Sequence, residues 1–232
     1  MIILDIDQGT PEWHAARLGI PTSSNFGKIL TSTGKKSTSA EGYMNEILAG
    51  WLAGKPVDLY ENQSMKDGKE REAEARLSYE IQTGNEVRQI GFAYLDERRT
   101  IGASPDGLVG SGGWYSEATR IIKEHLENEI KFDCKVSCPG ESGGLEIKCP
   151  KASTLISYYD KGCPAKYYPQ VQGQMWVCNL EWVDFYAYHP DLTPYLFRVE
   201  RDDDYIKSLA EAVEKFNVKL EKRKKELEGW KV

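Results

Sequence analysis

No stretch of this 232-residue chain is apolar for long enough to cross a bilayer. A spanning helix needs about 20 consecutive apolar residues, and every apolar run here is soon cut by charge, proline or glycine. The opening MIILDIDQGTPEWH lacks a basic segment and turns acidic at once, which excludes a signal-peptide reading. An intracellular protein with no membrane partner is expected. Cysteine is scarce as well. The five present, Cys134, Cys138, Cys149, Cys163 and Cys178, are odd in number and form no CxxC pair. That argues against a disulfide framework and a standard zinc site. The three histidines, His14, His125 and His189, are scattered without ligand-type spacing and read as structural.

Net positive charge is also missing: 30 Lys and Arg stand against 36 Asp and Glu, a formal charge of −6. Phosphate binding needs positive charge, but the local field decides, not the sum. Carboxylates that hold a divalent cation themselves push the sum negative, so charge alone neither supports nor excludes a nucleic-acid partner. Repeats, low-complexity tracts and an interdomain linker are absent. With 40% hydrophobic and 28% charged residues, the chain reads as one globular domain over 1–232.

What is present can be placed along the chain. TPEWHAARLG reads as a short helix, with Pro11 at its first position and Gly19 beyond its end. TSSNFGKILTS reads as a second short helix opened by cap-type residues. The polar STGKKSTS at 32–39 reads as a mobile loop. Tyr43, Ile47 and Trp51 recur every fourth residue in an amphipathic helix. A longer helix is predicted over 64–83, with Ala73, Leu77 and Ile81 as its apolar stripe and Gly84 as its stop. The period then changes: EVRQIGFAYLD and RTIGASPDGLVG read as a hairpin. Within 110–142, an insertion, YSEATRIIKEHLENEI reads as helix and IKFDCKVSC as strand. A helix is predicted beyond Pro169, strands in WVDFYAYHP and PYLFRVE, and a charged helix over about 203–228. Helices alternating with strands imply an α/β (α+β) fold with a mixed central sheet flanked by helices.

The segment GGLEIKCP carries the chemistry. On an extended strand residues i and i+2 share a face, so Glu146 and Lys148 stand side by side. Two readings follow: a surface ion pair, or half of a metal-dependent hydrolytic site. For the second, Asp106 in SPDGL supplies another carboxylate and the Ile147 carbonyl a third oxygen. Hard Mg²⁺ takes one or two carboxylates and keeps several waters, and Mn²⁺ accepts the same oxygen ligands. Lys148 would stabilise charge developing on the attacked phosphate. Glu-x-Lys by itself is weak evidence, since EIK also occurs at Glu129-Ile130-Lys131, where helix-like charge patterning suggests a solvated pair.

Five segments in order, RLGIPTSSNFGKI, DGKEREAEAR, SPDGL, LEIKCP and PQVQGQMWV, together resemble the phage lambda exonuclease family, the YqaJ-type viral recombinase nucleases. The resemblance spans Trp13 to Pro190 and implies a restriction-endonuclease-like core. It implies metal binding by Asp106, Glu146 and Ile147, with Lys148 assisting the attacking water. It adds Glu72 as a further carboxylate and Gln172 as an orienting amide, with Gln170 a weaker candidate. Arg17 and Ser24 would grip a terminal 5′-phosphate, and Lys35 and Lys36 would lie near the duplex end. Each residue has a plainer reading: Arg17 an exposed arginine, Ser24 a helix cap, Glu72 the i,i+4 partner of Arg76. Tyr158, Tyr159, Tyr167 and Tyr168 read as core or interface rather than base-stacking residues.

The resemblance implies a Mg²⁺-dependent 5′-to-3′ exonuclease on double-stranded DNA ends, working in the cytoplasm of a bacterial host cell. It would be a homotrimer with a single-strand annealing protein as partner. One rival is a same-core nuclease of other polarity with an iron–sulfur cluster, but no cysteine precedes Cys134 to supply the upstream ligand. Another is a non-catalytic DNA-end-binding module. If the second EIK is the functional one, Glu146→Ala abolishes nuclease activity and Glu129→Ala leaves it nearly unchanged. The reverse outcome in a nuclease assay overturns the choice.

Overall fold

A computed structural model describes residues 1–57, 63–110 and 143–231. The helix and strand read in 110–142, the first EIK, His125, Cys134 and Cys138 lie outside the described residues. The chain opens with β1 (Ile2–Leu4), followed by α1 (Pro11–Arg17). The Thr10 hydroxyl accepts the Trp13 N–H, Pro11 occupies the first turn, and Gly19 takes φ +77° beyond its end. The next segment, Ser23–Lys28, is the expected second short helix, and it is of the 3₁₀ type. Its Ser-Ser-Asn start favours local hydrogen bonding over a continuing α-helix. Helix α2 (Ala40–Ala53) ends on Gly54 in the left-handed region and buries Tyr43 and Ile47, as the four-residue spacing predicts.

The expected hairpin is split between two sheets. Strand β2 (Glu86–Arg88) pairs antiparallel with β5 (Gly107–Gly110), while β3 (Phe92–Tyr94) pairs antiparallel with β4 (Gly102–Ala103) and with β1. Pro105 cannot donate to a ladder, and at Gly91 a side chain would collide with the Ile6 backbone. The two strand pairs are therefore offset between β1-β3-β4 and the larger sheet β2-β5-β6-β7-β8.

In the larger sheet β6 (Gly143–Lys148) runs antiparallel to β5 and parallel to β7 (Trp182–His189), and β8 (Leu192–Glu200) returns antiparallel. The parallel step requires a crossover, supplied by α4 (Ala152–Lys161) and α5 (Tyr168–Cys178). The last long helix, α6 (Asp203–Leu227), is capped by Asp202, with acids in its first turn and lysines in its last, matching the helix dipole. The expectation of a mixed α/β architecture with a mixed sheet and flanking helices holds. Among the described residues no helix is long and apolar enough to cross a membrane.

Helices α2, α5 and α6 share the main apolar cluster, which contains Phe26, Val171, Met175, Val183 and Leu209. On the sheet's other side α3 (Gln63–Thr83) packs Ala75 and Tyr79 against Leu145, Ile147, Tyr186 and Tyr188. The predicted stripe of α3 is the wrong face: Leu77 is 57% and Ile81 77% exposed, while Ala75 and Tyr79 are fully buried. The inner face wins because polar partners await it. Tyr79 donates to Asp184 at 2.8 Å, Tyr188 to Glu74 at 2.6 Å, and Tyr186 to Gln82 at 3.1 Å.

Helix α5 reaches the Ser23–Lys28 segment through Gly173, where a β-carbon would strike the Phe26 ring and come within 3.3 Å of Ser23. Overpacking a core contact costs about 1–3 kcal/mol. Gly173→Ala should destabilise by that amount in denaturant unfolding; an unchanged midpoint would refute this account of the packing.

Candidate active site

The β5–β6 ladder stops where Pro105 has no N–H to offer, and Asp106 takes over. Its N–H donates to the Leu145 carbonyl at 3.1 Å, and its Oδ2 accepts the Ile147 N–H at 2.6 Å. A side chain thus stands in for missing backbone and is held beside β6 at the level of Glu146. The period-2 alternation of β6 then separates its residues. Leu145 and Ile147 face the cluster under α3, and Glu146 turns toward α5.

Glu146 is buried and surrounded by donors. Its Oε1 forms a close ion pair with Lys148 Nζ and accepts Gln170 Nε2 at 2.6 Å, while Oε2 accepts Gln174 Nε2 at 2.6 Å. Burial, then repulsion from Glu146 and Glu72, holds the Asp106 carboxyl well above the usual carboxylate range, although Lys148 and the Ile147 N–H pull the other way. For Lys148, burial favours the neutral amine, but Glu146 and Asp106 outweigh it and raise its pKa. The two carboxylates thus favour Lys148 as an ammonium, a positive charge held against Glu146. Its Nζ also lies 5.3 Å from the centre of the Tyr167 ring.

The structure brings Asp106, Glu146, Ile147 and Lys148 together, with Glu72 near enough to repel Asp106. Glu72 also carries its plainer role, accepting Arg76 at 2.8 Å one helical turn away. Gln172 is a correction. Its Nε2 donates to the Glu200 carbonyl at 2.8 Å and its Oε1 accepts the Asp202 N–H at 3.0 Å, so it ties α5 to the start of α6. Two residues correspond to about 200° around a helix, so Gln172 points away when Gln170 and Gln174 face Glu146. Gln170 is the better orienting amide, and Gln174 was missed; the signal available was its i+4 spacing from Gln170.

Arg17 and Ser24 meet: the guanidinium donates to Ser24 Oγ at 3.3 Å. Arg17 stacks 4.1 Å above the Trp13 ring, and burial brings its pKa down to about 10, so it stays charged at neutral pH. Among the described residues no carboxylate pairs with it. Thr22 Oγ1 lies 3.2 Å from Ser24 Oγ, adding a second hydroxyl. Trp13 joins this pocket to the acidic one, since its Nε1 donates to Ser104 Oγ at 2.8 Å and to the Gly91 carbonyl at 3.0 Å, two residues ahead of Asp106 in the first case. Lys35 and Lys36 sit on an exposed turn closed by Thr31 N–H to the Lys35 carbonyl at 2.8 Å, and the Thr31 carbonyl is held by Tyr205 at 3.1 Å. Their contacts do not join them to Arg17 or Ser24. Of the tyrosines, Tyr158 is buried and Tyr167 packs against Phe185 at 5.2 Å, in keeping with a core role. Tyr159 is 41% exposed.

These residues fit a hard divalent cation. Two carboxylates, with the Ile147 carbonyl as a third oxygen, would offer a cation only oxygen, and the Asp106 carboxyl, raised first by burial and then by Glu146, is one that a nearby cation would favour as the anion. Among the described residues no group of three or more His, Cys, Asp or Glu converges.

With Glu146 and Lys148 on its central strand and Asp106 held beside it, the chain is, by the family and structural matches that follow, a nuclease-type enzyme. Residues 12–181 match the YqaJ-like viral recombinase domain, and the chain belongs to that family. Among solved structures it is similar to an alkaline exonuclease from Laribacter hongkongensis, with a TM-score of 0.74 and 31% identity over 94% of this chain and 96% of that one. The same enzyme in complex with dAMP matches equally. A phage-related exonuclease from Haemophilus somnus 129PT shares the fold at TM-score 0.55 and 16% identity, over 88% of this chain and 96% of that one. An uncharacterized protein of Acanthamoeba polyphaga mimivirus is 24% identical over 132 residues, 57% of this chain; the match spans only 21% of that protein.

A carboxyl whose folded pKa is raised contributes stability at low pH that is lost as pH rises through the folded value. Asp106 therefore strains the metal-free protein at neutral and alkaline pH. In EDTA at pH 8, Asp106→Asn should therefore melt above wild type, the gap closing toward pH 4. A lower melting temperature for Asp106→Asn at pH 8 would contradict this reading.

Proposed function

We propose that this chain is a Mg²⁺-dependent exonuclease that degrades one strand of double-stranded DNA from its 5′ end, releasing 5′-mononucleotides. The observation that carries the reading is Asp106 held beside Glu146, with the Lys148 ammonium on the same carboxylate. Asp106, Glu146 and the Ile147 carbonyl would hold the cation, and Mn²⁺ fits the same oxygens. When bound, such an ion polarises water and offsets phosphate charge. Lys148 supplies a fixed positive charge where the attacked phosphate becomes more anionic. Gln170 donates to the same Glu146 oxygen as Lys148.

Polarity is read from the second pocket. A partly buried arginine with hydroxyl and ring partners but no carboxylate among the described residues is prepared for an anion. A terminal 5′-phosphate supplies one. Trp13 links that grip to the loop carrying Asp106, which suits removal of the terminal nucleotide. The relative solved with dAMP gives parallel support, since its ligand is a deoxynucleoside monophosphate.

On this reading 1–232 is one nuclease domain with an insertion at 110–142, acting as a homotrimer around duplex DNA in the cytoplasm of a bacterial host cell. Lys35 and Lys36 contact the duplex backbone. The 3′ tails it leaves are passed to a single-strand annealing protein for recombination.

One experiment tests these points together: digestion of duplex labelled at either end, with and without Mg²⁺, by wild type, Lys148→Ala and Arg17→Ala. Wild type should release the 5′ label first, as a mononucleotide and only with metal. Lys148→Ala should be slower by about 10²–10³-fold while keeping its fold and its binding to DNA ends. Arg17→Ala should lose most of the preference for 5′-phosphate over 5′-hydroxyl ends. First release of the 3′ label overturns the polarity. Indifference to metal, or full activity in Lys148→Ala, favours the non-catalytic end-binding module.

A further inference from the structure

The two glutamines on Glu146 are not equivalent. Gln170 is partly exposed and shares Oε1 with Lys148. Gln174 is fully buried and, among the described residues, is alone on Oε2. A carboxylate facing the amide requires its nitrogen to point at Glu146, and that orientation leaves Gln174 Oε1 buried without a hydrogen-bond partner. Orphaning a buried polar atom costs stability, so this amide is not placed there for its own hydrogen bonding. The residue is therefore poorly explained as packing and well explained by what its N–H₂ holds.

We infer that Gln174 is a positioning residue of the cation site: it anchors Oε2 of Glu146 and so leaves Oε1, on the Lys148 side, as the oxygen presented to the ion. This rests on the nuclease reading above and deepens it. Before an ion can use Oε1, Lys148 or Gln170 must yield some of its hold there. Gln174, enclosed on every side, keeps the carboxylate from turning while they do. The division of labour follows from burial: exchangeable donors lie on the open oxygen and a permanent donor on the closed one. Supporting donors of this kind typically matter about 10–100-fold in metal affinity or activity.

The test is Mn²⁺ titration of the full-length protein without DNA, followed by electron paramagnetic resonance of free Mn²⁺, on wild type, Gln174→Met, Gln174→Asn and Asp106→Asn. Gln174→Met removes the donor, so Mn²⁺ affinity of the folded protein should fall about 10–100-fold; because it also leaves Glu146 Oε2 without its buried partner, its melting temperature should fall as well, and affinity is read below that transition. Gln174→Asn withdraws the donor by one methylene and should weaken Mn²⁺ in the same direction, which keeps the test open if the Met variant does not fold. Nuclease rate in both should recover substantially at saturating Mn²⁺. A folded variant that binds Mn²⁺ within twofold of wild type, while Asp106→Asn loses it, overturns the role of Gln174 alone. If Asp106→Asn also binds as wild type does, the cation site itself is misassigned and this inference falls with it.

Discussion

Two carboxylates forced into proximity, with one ammonium between them and neutrality, govern this molecule. Asp106 and Glu146 repel, burial sharpens the repulsion, and Lys148 offsets only part of it. Left in water such a set would spread apart. Here it is held by backbone: the Ile147 N–H fixes Asp106, and the alternation of β6 fixes Glu146 and Lys148 on one side. The strain is tolerable because the strand that carries it is central, paired with β5 and β7.

Much of the remaining architecture serves that strand. Helix α5 is almost entirely buried and contributes amides on one face, Gln170 and Gln174, while its opposite face ties to α6 through Gln172. Helix α3 closes the other side of the sheet with a polar-matched seam, in which tyrosines of β7 meet Glu74, Ser78 and Gln82. Both helices are positioned by side-chain hydrogen bonds as much as by apolar burial. That restricts sliding in a way apolar contact alone would not. An acidic cluster with ångström-scale tolerances needs such supports.

The arginine pocket is connected to the acidic one by short covalent and hydrogen-bonded steps. Trp13 lies one helical turn before Arg17 and stacks beneath it, and its indole N–H ends on Ser104. Gln8 reaches the Pro105 carbonyl at 3.1 Å, adding a second tie to the same loop. The Arg17 guanidinium is thus joined to the loop carrying Asp106 by stacked and hydrogen-bonded side chains rather than by a flexible linker.

Several features were legible in the residues alone. Helix α1 is announced by Thr10, Pro11 and Gly19, α2 by its four-residue spacing, and α6 by its cap and charge gradient. The pairing of Glu146 with Lys148 follows from strand period and Asp106 from its place in SPDGL, while Arg17 and Ser24 follow from the resemblance to a family. These are local signals, carried by neighbours in the chain. The tertiary structure decided which face of α3 turns inward, against the apolar stripe, because Asp184 and the β7 tyrosines reward Tyr79, Glu74 and Gln82 more than water does. It decided that Gln170 and Gln174, and not Gln172, meet Glu146, since a helix can present only one face to a strand it crosses. Both outcomes depend on what lies opposite an element in space, a quantity absent from any short window of sequence.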